Sequence, residues 1–283
     1  MQTQTGEWYI VHLCGRPLRQ TNPADAPRFA GARRYMLGRE TAIQRVEWTK
    51  DGWLRLARGG ILPADEAEQP ELAECPWPEE PARDDFDGPE LRSCWQTLRL
   101  PLTERHLSLR ERAGFLRLRG GSGLASRFEQ SLIAQRLTEV SGEIACRLEF
   151  TPHYFKQMAG LILYYDYDNY LYLHVTHDEE LGRVITLLKA ENRHYSYPFG
   201  YLPIPDGAVI LRMTLREGMA IFGYTDASGR SVTLPRELDA SFLSDEACTE
   251  GWFTGTMVGL CCQDLTGEGA IADFDWFEYI PQE

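Results

Sequence analysis

The sequence predicts an all-β protein whose larger part is a β-sandwich. Beyond Phe115, short runs of alternating apolar and polar residues follow one another at intervals of about ten residues. β-Branched and aromatic residues fill these runs, while glycine, proline, aspartate and asparagine separate them. Helical periodicity is weak along the chain, and no parallel βαβ pattern is visible.

The first part of the chain contains three such runs, which predict antiparallel strands over residues 8–13, 41–48 and 53–57. Between residues 62 and 89 the composition changes, because prolines alternate with acidic residues and hydrophobic periodicity is lost. This stretch predicts a linker. We therefore expect two domains, over residues 1–75 and 76–283.

The second domain holds the strands of the predicted sandwich. The runs that predict them are residues 115–119, 142–150, 159–165, 170–175, 183–188, 208–215, 220–224, 256–261 and 272–279. Residues 234–244 predict a short helix or a turn.

Composition narrows the classes of function. The net charge of -13 argues against nucleic acid or anionic membranes as partners, since no basic field is present to attract phosphates. A neutral ligand such as a sugar fits better. The seven cysteines form no CxxC pair and no metal-like spacing, which favours reduced thiols in the cytoplasm. The start of the chain has no signal-peptide pattern, and no apolar run approaches the length of a membrane span.

Three segments carry a resemblance to a known family: GRETAIQRVEW at residues 38–48, DGW at 51–53 and HLCGRP at 12–17. They resemble the last propeller blade of the β-xylosidase and α-L-arabinofuranosidase branch of glycoside hydrolase family 43. The resemblance extends to the C-terminus and covers essentially the whole chain. It implies a remnant of a five-bladed β-propeller followed by a concanavalin-like jelly-roll sandwich.

The resemblance also implies an activity, the inverting hydrolysis of β-1,4-xylosides and xylo-oligosaccharides from the non-reducing end. The three carboxylates that perform it in the family come from blades that precede this region, and the opening residues 1–12 resemble the middle of such an enzyme. We therefore expect a truncated chain that is inactive on its own. The resemblance does not separate xylosides from arabinofuranosides as substrates.

Two residues are candidates for contact with substrate. The resemblance places Arg39 in the glycone pocket, where its guanidinium would bind sugar hydroxyls or a catalytic carboxylate. The alternative is a surface ion pair with Glu40 or Glu47. Phe253, in the GWFTG segment at residues 251–255, matches a phenylalanine that walls the pocket in the family, whereas an aromatic residue in a sandwich usually packs in the core.

Asp85 and Asp275 are candidates for a structural calcium ion. They lie near the first and last strands of the predicted sandwich, which often lie side by side, and carboxylates there could hold calcium together with backbone carbonyls. The alternative is that these acids only solvate turns and strand ends, since no EF-hand spacing is present. No cofactor is otherwise required.

The most aromatic segment is YYDYDNYLY at residues 164–172. Tyrosines beside carboxylates suit a sugar-binding face, but the same pattern predicts a β-hairpin that turns at Asp168 and Asn169. Asp166 and Asp168 have the spacing of one strand face, although nothing marks them as a hydrolytic pair.

Two alternatives to the enzyme fragment remain open. One is a carbohydrate-binding module that uses the tyrosine hairpin or a concave sheet face. The other is half of a split enzyme, completed by a separately encoded propeller. The expected partners are a xylose-containing oligosaccharide and the missing propeller portion, or a homo-oligomer, because an incomplete blade leaves strand edges unpaired.

Overall fold

The computed structural model describes residues 1–19, 33–250 and 254–282, which form β-strands and connecting turns. The predicted all-β class is confirmed. The described part of the chain contains no helix that could cross a membrane. The strands are β1 Trp8–Cys14, β2 Glu40–Trp48, β3 Leu54–Leu56, β4 Arg83–Asp84, β5 Gln96–Thr97, β6 Leu107–Ser108, β7 Leu116–Arg119, β8 Ser131–Arg136, β9 Ser141–Phe150, β10 Gln157–Asp166, β11 Asn169–Asp178, β12 Gly182–Glu191, β13 His194–Ser196, β14 Leu202–Pro203, β15 Val209–Arg216, β16 Met219–Thr225, β17 Ser231–Thr233, β18 Leu238–Asp239, β19 Met257–Asp264 and β20 Ile271–Gln282.

The smaller of two compact units comprises residues 1–16 and 39–80. Its three strands form an antiparallel sheet in the order β1-β2-β3, with Trp8 opposite Val46 and Cys14 opposite Glu40. Trp8 and Trp48 meet edge to face, with ring centroids 5.8 Å apart. The strands predicted around residues 8–13, 41–48 and 53–57 are therefore present.

The larger unit comprises residues 17–38 and 81–283 and contains two antiparallel sheets. The order of the first is β13-β12-β11-β10-β19-β8-β5, with β14 also beside β12. The order of the second is β17-β16-β15-β9-β20-β7-β6, with β18 beside β16 and β4 beside β20. We call them the eight-stranded and the nine-stranded sheet. Residues 234–244, predicted as a short helix or a turn, contain β18 and turns.

One hydrophobic core lies between the two sheets. It combines Leu148 and Phe274 of the nine-stranded sheet with Leu161 and Leu173 of the eight-stranded sheet, all inaccessible to solvent. The alternation along each strand explains this, because every second residue points to the same face. On β9, for example, Ile144 to Phe150 alternates between buried and partly exposed positions.

The eight-stranded sheet is apolar on its other face as well. A second buried cluster there contains Leu124, Leu132, Ile162, Tyr164, Tyr170, Tyr172 and Cys261. Strands β10 and β11 are consequently buried along nearly their full length. Such near-continuous apolar runs are typical of strands that are covered on both faces.

The described residues of the segment 17–38 belong to the larger unit. Leu18, Met36 and Leu37 are buried in the core of the sandwich. The division therefore differs from the predicted 1–75 and 76–283, although the last of its three boundaries, between Glu80 and Pro81, lies close to the predicted one. Three apolar side chains near the ends of this segment pack into the sandwich, which a boundary drawn from composition does not detect.

Candidate functional site

Arg39 directly precedes β2 and is half-buried. The residue before it, Gly38, ends a tight turn in which its N–H donates to the carbonyl of Tyr35 at 3.1 Å. Gly38 has a φ of +70°, a conformation that glycine adopts without the steric penalty of a side chain. Glu40, one of the two predicted surface partners of Arg39, accepts hydrogen bonds from Arg16, with 2.9 Å between Arg16 Nη2 and Glu40 Oε1. The residue directly before Arg39 therefore has a left-handed backbone conformation that favours glycine.

The backbone before Arg39 is held by the connection between β18 and β19. Tyr35 N donates to Glu246 Oε2 at 3.0 Å, and Thr256 N donates to the carbonyl of Met36 at 2.7 Å. Arg136 Nη2 adds a hydrogen bond to the carbonyl of Leu37 at 3.0 Å. These contacts lie within the larger unit and tie residues 35–37 to the connection and to the end of β8.

The second candidate for substrate contact, Phe253, lies outside the described residues. The chain is described again from Thr254, and Gly255 has a φ of +74°. Phe253 as a pocket wall therefore stays a prediction.

Asp85 and Asp275 lie on neighbouring strands of the sheet, Asp85 directly after β4 and Asp275 within β20, because β4 pairs with β20 and places Asp84 opposite Phe277. The predicted proximity of the first and last strands of the sandwich is therefore present. Each carboxylate is paired with an arginine: Arg83 Nε lies 2.7 Å from Asp85 Oδ1, and Arg147 Nη1 lies 2.7 Å from Asp275 Oδ2. The described residues contain no group of three or more side chains arranged to hold a metal ion. As placed, this donor set fits ion pairs and does not fit a calcium site.

The tyrosine-rich segment is a β-hairpin between β10 and β11, as one of the two interpretations predicts. The turn residues are Tyr167 and Asp168, one position earlier than predicted. Asp166 Oδ1 closes the turn by accepting hydrogen bonds from Asp168 N at 2.8 Å and from Asn169 Nδ2 at 2.9 Å. Burial raises the pKa of Asp166 even though these bonds favour its charged form.

The tyrosine rings of the hairpin are not available to a sugar. Each of them is at most 5% exposed: Tyr164, Tyr165, Tyr167, Tyr170 and Tyr172. Tyr165 points into the main core and donates to Asp245, whereas Tyr172 packs in the second cluster and donates to the carbonyl of Cys261 at 3.0 Å. The hairpin therefore has a structural role, and Asp168 is bound by Arg193 at 2.8 Å.

A polar cavity of about 780 Å³ lies at the face of the nine-stranded sheet that is turned away from the core. We call it the outer-face groove and define it by Arg112, Arg117, Arg147, Glu149, His153 and Asp273. Residues on three neighbouring strands form its floor, because Asp273 on β20 lies opposite Arg117 on β7 and Glu149 on β9.

Asp273 is the centre of the charged floor. Arg117 binds it through two hydrogen bonds, Nε to Oδ1 at 2.7 Å and Nη2 to Oδ2 at 2.9 Å, and Arg112 Nη1 donates to Oδ2 at 2.9 Å. Burial alone would raise the pKa of Asp273, but the hydrogen bonds from Arg117 and Arg112 outweigh it and lower the pKa below its ordinary value. The same contact with Asp273 raises the pKa of Arg117.

Sequence reasoning missed this groove, although two signals for it were present. The alternation in residues 115–119 places Arg117 and Arg119 on one face of a strand, and Asp273 and Asp275 lie on another strand of the same sheet. The pairing of β7 with β20 joins residues that are 156 positions apart, and the spacing of residues along the chain does not reveal such a pairing.

Two antiparallel sheets packed around one core make the larger unit a concanavalin-like β-sandwich, the class that its fold defines. The family model for the "Beta xylosidase C-terminal Concanavalin A-like domain" matches residues 83–280, and the model for "Glycosyl hydrolases family 43" matches residues 1–54. The chain belongs to glycoside hydrolase family 43, and it corresponds to the C-terminal portion of its relatives there.

The relatives are roughly twice as long. The chain is 38% identical to a "Putative beta-xylosidase" of Escherichia coli (strain K12), with 99% of this chain and 53% of the relative covered. It is 37% identical to a "Beta-xylosidase" of Bacillus subtilis (strain 168), with 99% and 52% covered. The crystal structure of a xylan beta-1,4-xylosidase from Bacillus halodurans C-125 superimposes with a TM-score of 0.92 at 39% identity, again over 99% of this chain and 52% of that one. The chain thus spans about half the length of the proteins it matches.

Proposed function

We propose that the chain is the C-terminal part of a β-xylosidase that hydrolyses β-1,4-xylosides and xylo-oligosaccharides. The observation that carries the proposal is the match along 99% of the chain to relatives that are named as β-xylosidases. The net charge of -13 is compatible with a neutral sugar as the substrate. We place the protein in the cytoplasm, which the seven free cysteines support.

Within this proposal, Arg39 binds substrate hydroxyls or a carboxylate of the active site. A guanidinium offers five N–H donors in a fixed plane, which suits a carboxylate or a pair of hydroxyl groups. A positive charge beside a catalytic carboxylate also lowers the pKa of that group and keeps it ionised as a base. Phe253 would supply an apolar wall to the same pocket.

The catalytic carboxylates belong, in this proposal, to the half of the relatives that the chain does not cover. An inverting glycosidase needs one carboxyl group as acid and a second as base, about 6.5–9.5 Å apart on either side of the sugar. The hairpin carboxylates do not provide such a pair, because Asp166 is bound in the turn and Asp168 is paired with Arg193. We therefore propose that these 283 residues alone do not hydrolyse xylosides.

The test is hydrolysis of p-nitrophenyl β-xyloside by the purified chain, alone and mixed with a polypeptide that supplies the earlier propeller blades. We expect no hydrolysis by the chain alone and measurable hydrolysis by the mixture, which would also support a split enzyme. Hydrolysis by the chain alone would contradict the proposal that the catalytic carboxylates lie outside it. The acids would then have to come from residues 84–87, Asp166 or Asp168. Inactivity of a mixture that forms a stable complex would count against a catalytic role.

The alternative of a carbohydrate-binding module that uses the tyrosine hairpin has no support from the structure. A stacking platform needs exposed rings, and the hairpin tyrosines are buried. Such a module would lose sugar binding when Tyr165 is replaced by alanine. In this structure the same result would instead indicate damage to the core.

A further inference from the structure

The outer-face groove has no role in the hydrolysis proposed above. We propose that it is a binding site for a neutral oligosaccharide. The proposal comes from the arrangement of charge on its floor, from the rigidity of that arrangement and from two exposed aromatic rings in a connection that lines it.

Charges of opposite sign alternate along the floor. Asp273 holds Arg117 and Arg112, and Arg112 Nη2 also reaches Glu149 at 2.8 Å. Arg147 continues the series, since its Nη1 lies 3.3 Å from Glu149 and 2.7 Å from Asp275. Three guanidinium groups therefore alternate with three carboxylates.

This alternation selects the class of ligand. The charged side chains that line the cavity balance, three arginines against Glu149, Glu268 and Asp273, so the cavity has no net charge to concentrate a phosphate, a sulfate or a metal cation. It instead presents N–H donors and carboxylate acceptors side by side. A hydroxyl group both donates and accepts a hydrogen bond, so a ligand rich in hydroxyls can use both kinds of group.

The floor is also held in place before any ligand arrives. Arg117 is fixed by two hydrogen bonds to a carboxylate that is 7% exposed, and the Arg112 guanidinium carbon lies 3.5 Å from the centroid of the Phe115 ring. Binding to side chains that are already ordered avoids much of the entropy cost of fixing long flexible side chains. A cavity of about 780 Å³ is also within the usual range for a ligand site, about 300–1,000 Å³.

Exposed aromatic side chains lie beside the polar floor in the sequence. The connection between β9 and β10 contributes Thr151 and His153 to the lining of the cavity and also carries Tyr154 and Phe155. These two rings are 48% and 58% exposed. Exposed aromatic rings pack against the C–H faces of sugars, while polar groups fix the orientation of a ligand. In the proposed site, the groove supplies the polar contacts and this connection supplies the aromatic ones.

The test is isothermal titration of the purified chain with xylohexaose, and with cellohexaose, sodium sulfate and calcium chloride in parallel. We expect saturable binding of an oligosaccharide with a dissociation constant of about 1 mM or tighter, and no binding of the ions. Absence of binding by both oligosaccharides, or binding of an ion instead, would overturn the proposal.

Two variants locate the binding. Ala208→Trp places a large side chain in the cavity and leaves the charged floor intact, and Tyr154→Ala removes an exposed ring. We expect each to weaken binding at least tenfold. The matched controls are Arg212→Ala, since Arg212 lies on the same face of the sheet outside the cavity lining, and Tyr195→Ala, an exposed tyrosine on β13.

The readouts separate folding from binding. If Ala208→Trp lowers the melting temperature, Tyr154→Ala decides the question, because its side chain lies on the surface. Unchanged affinity in Tyr154→Ala and in a folded Ala208→Trp variant would refute this location. Hydrolysis of p-nitrophenyl β-xyloside by the complemented mixture should be the same for all four variants, so failure of this proposal is distinguishable from failure of the proposed function.

Discussion

Gly38 and Gly255 lie back to back, with no room for a side chain on either. A Cβ atom built on Gly38 would lie 2.5 Å from the backbone nitrogen of Gly255, and one built on Gly255 would collide with the carbonyl of Leu37. Both residues also have positive φ angles. In the sequence, one glycine directly precedes Arg39 and the other follows Phe253 by two positions.

Replacing either glycine by alanine should destabilise the protein. The left-handed backbone conformation costs a non-glycine residue about 1–2 kcal/mol, and overpacking adds about 1–3 kcal/mol. Gly182→Ala is the matched control, because Gly182 has a φ of +73° and nothing within 4 Å of its added Cβ. Urea unfolding should show a loss for Gly38→Ala and Gly255→Ala that exceeds the loss for Gly182→Ala. Equal losses in all three would show that crowding contributes nothing.

Met36 should contribute to the stability of the sandwich, although it precedes β2 in the chain. Its side chain is fully buried in the core, so Met36→Ala should lower the free energy of unfolding by about 2–5 kcal/mol. Leu13→Ala provides a comparison, since Leu13 is 69% exposed and its loss should cost within about 0.5 kcal/mol. A near-neutral Met36→Ala would mean that the Met36 side chain contributes no packing energy to the sandwich in solution.

Tyr165→Phe should destabilise the protein without changing the shape of the core. The substitution removes only the hydroxyl that donates to the buried carboxyl group of Asp245. A hydrogen bond to a charged group contributes about 1.5–3 kcal/mol, which is the expected loss in denaturant unfolding. Tyr195→Phe, at an exposed tyrosine, should be neutral. A neutral Tyr165→Phe would show that other groups fully satisfy Asp245.

His174 should make the protein sensitive to mild acid. It is buried beside the Tyr172 ring, and burial lowers its pKa from 6.5 to about 4. Between these pH values the unfolded chain takes up a proton that the folded protein does not, so the free energy of unfolding falls as the pH falls, by up to about 3 kcal/mol. Above pH 6.5 the contribution is fully present.

The measurement is the free energy of unfolding of the wild type, His174→Gln and His194→Gln between pH 7 and about pH 4. His174→Gln should show a shallower decline than the wild type, while His194→Gln, at an exposed histidine, should follow the wild type. If the pH profiles of His174→Gln and the wild type are parallel, protonation of His174 does not limit acid stability.

Arg39 should affect catalysis in the complemented enzyme more than it affects folding. Arg39→Ala should lower kcat/KM of the active mixture at least tenfold, which corresponds to about 1.4 kcal/mol of lost transition-state binding. Arg39→Lys keeps the charge but loses the planar fork, so partial activity is expected. If an Arg39 variant binds the propeller portion and keeps full activity, Arg39 does not contribute to the proposed pocket.

Much of the fold could be predicted from the sequence, because the long strands of the sandwich carry a local pattern, alternating on β9 and almost continuously apolar on β10 and β11. The hairpin at Asp166 and Asn169 is local and was predicted within one residue. The buried partners of distant segments could not be predicted in this way. Tyr35 meets Glu246 across 211 positions and Arg117 meets Asp273 across 156, and pairing of this kind depends on the order of strands in the sheets.

The same distinction between local and distant residues holds for the candidate functional residues. Arg39 could be proposed from the motif around it, because a family resemblance transfers the role of a position together with its neighbours. The outer-face groove could not, because no short motif contains it. Asp85 and Asp275 were the candidates for a calcium ion, whereas the structure places an arginine beside each of them.

The polypeptide passes between the two compact units three times, after Arg16, after Gly38 and after Glu80. No single break in the gene can therefore give each unit all of its own residues. A recombination event between relatives after Gly38 or after Glu80 would pair part of one parent's sandwich core with the rest of the other's, and one after Arg16 would divide the smaller unit in the same way. Natural recombinants and laboratory chimeras should therefore fold most readily when the whole stretch that contains all three crossings comes from one parent. Both units then keep all of their own residues.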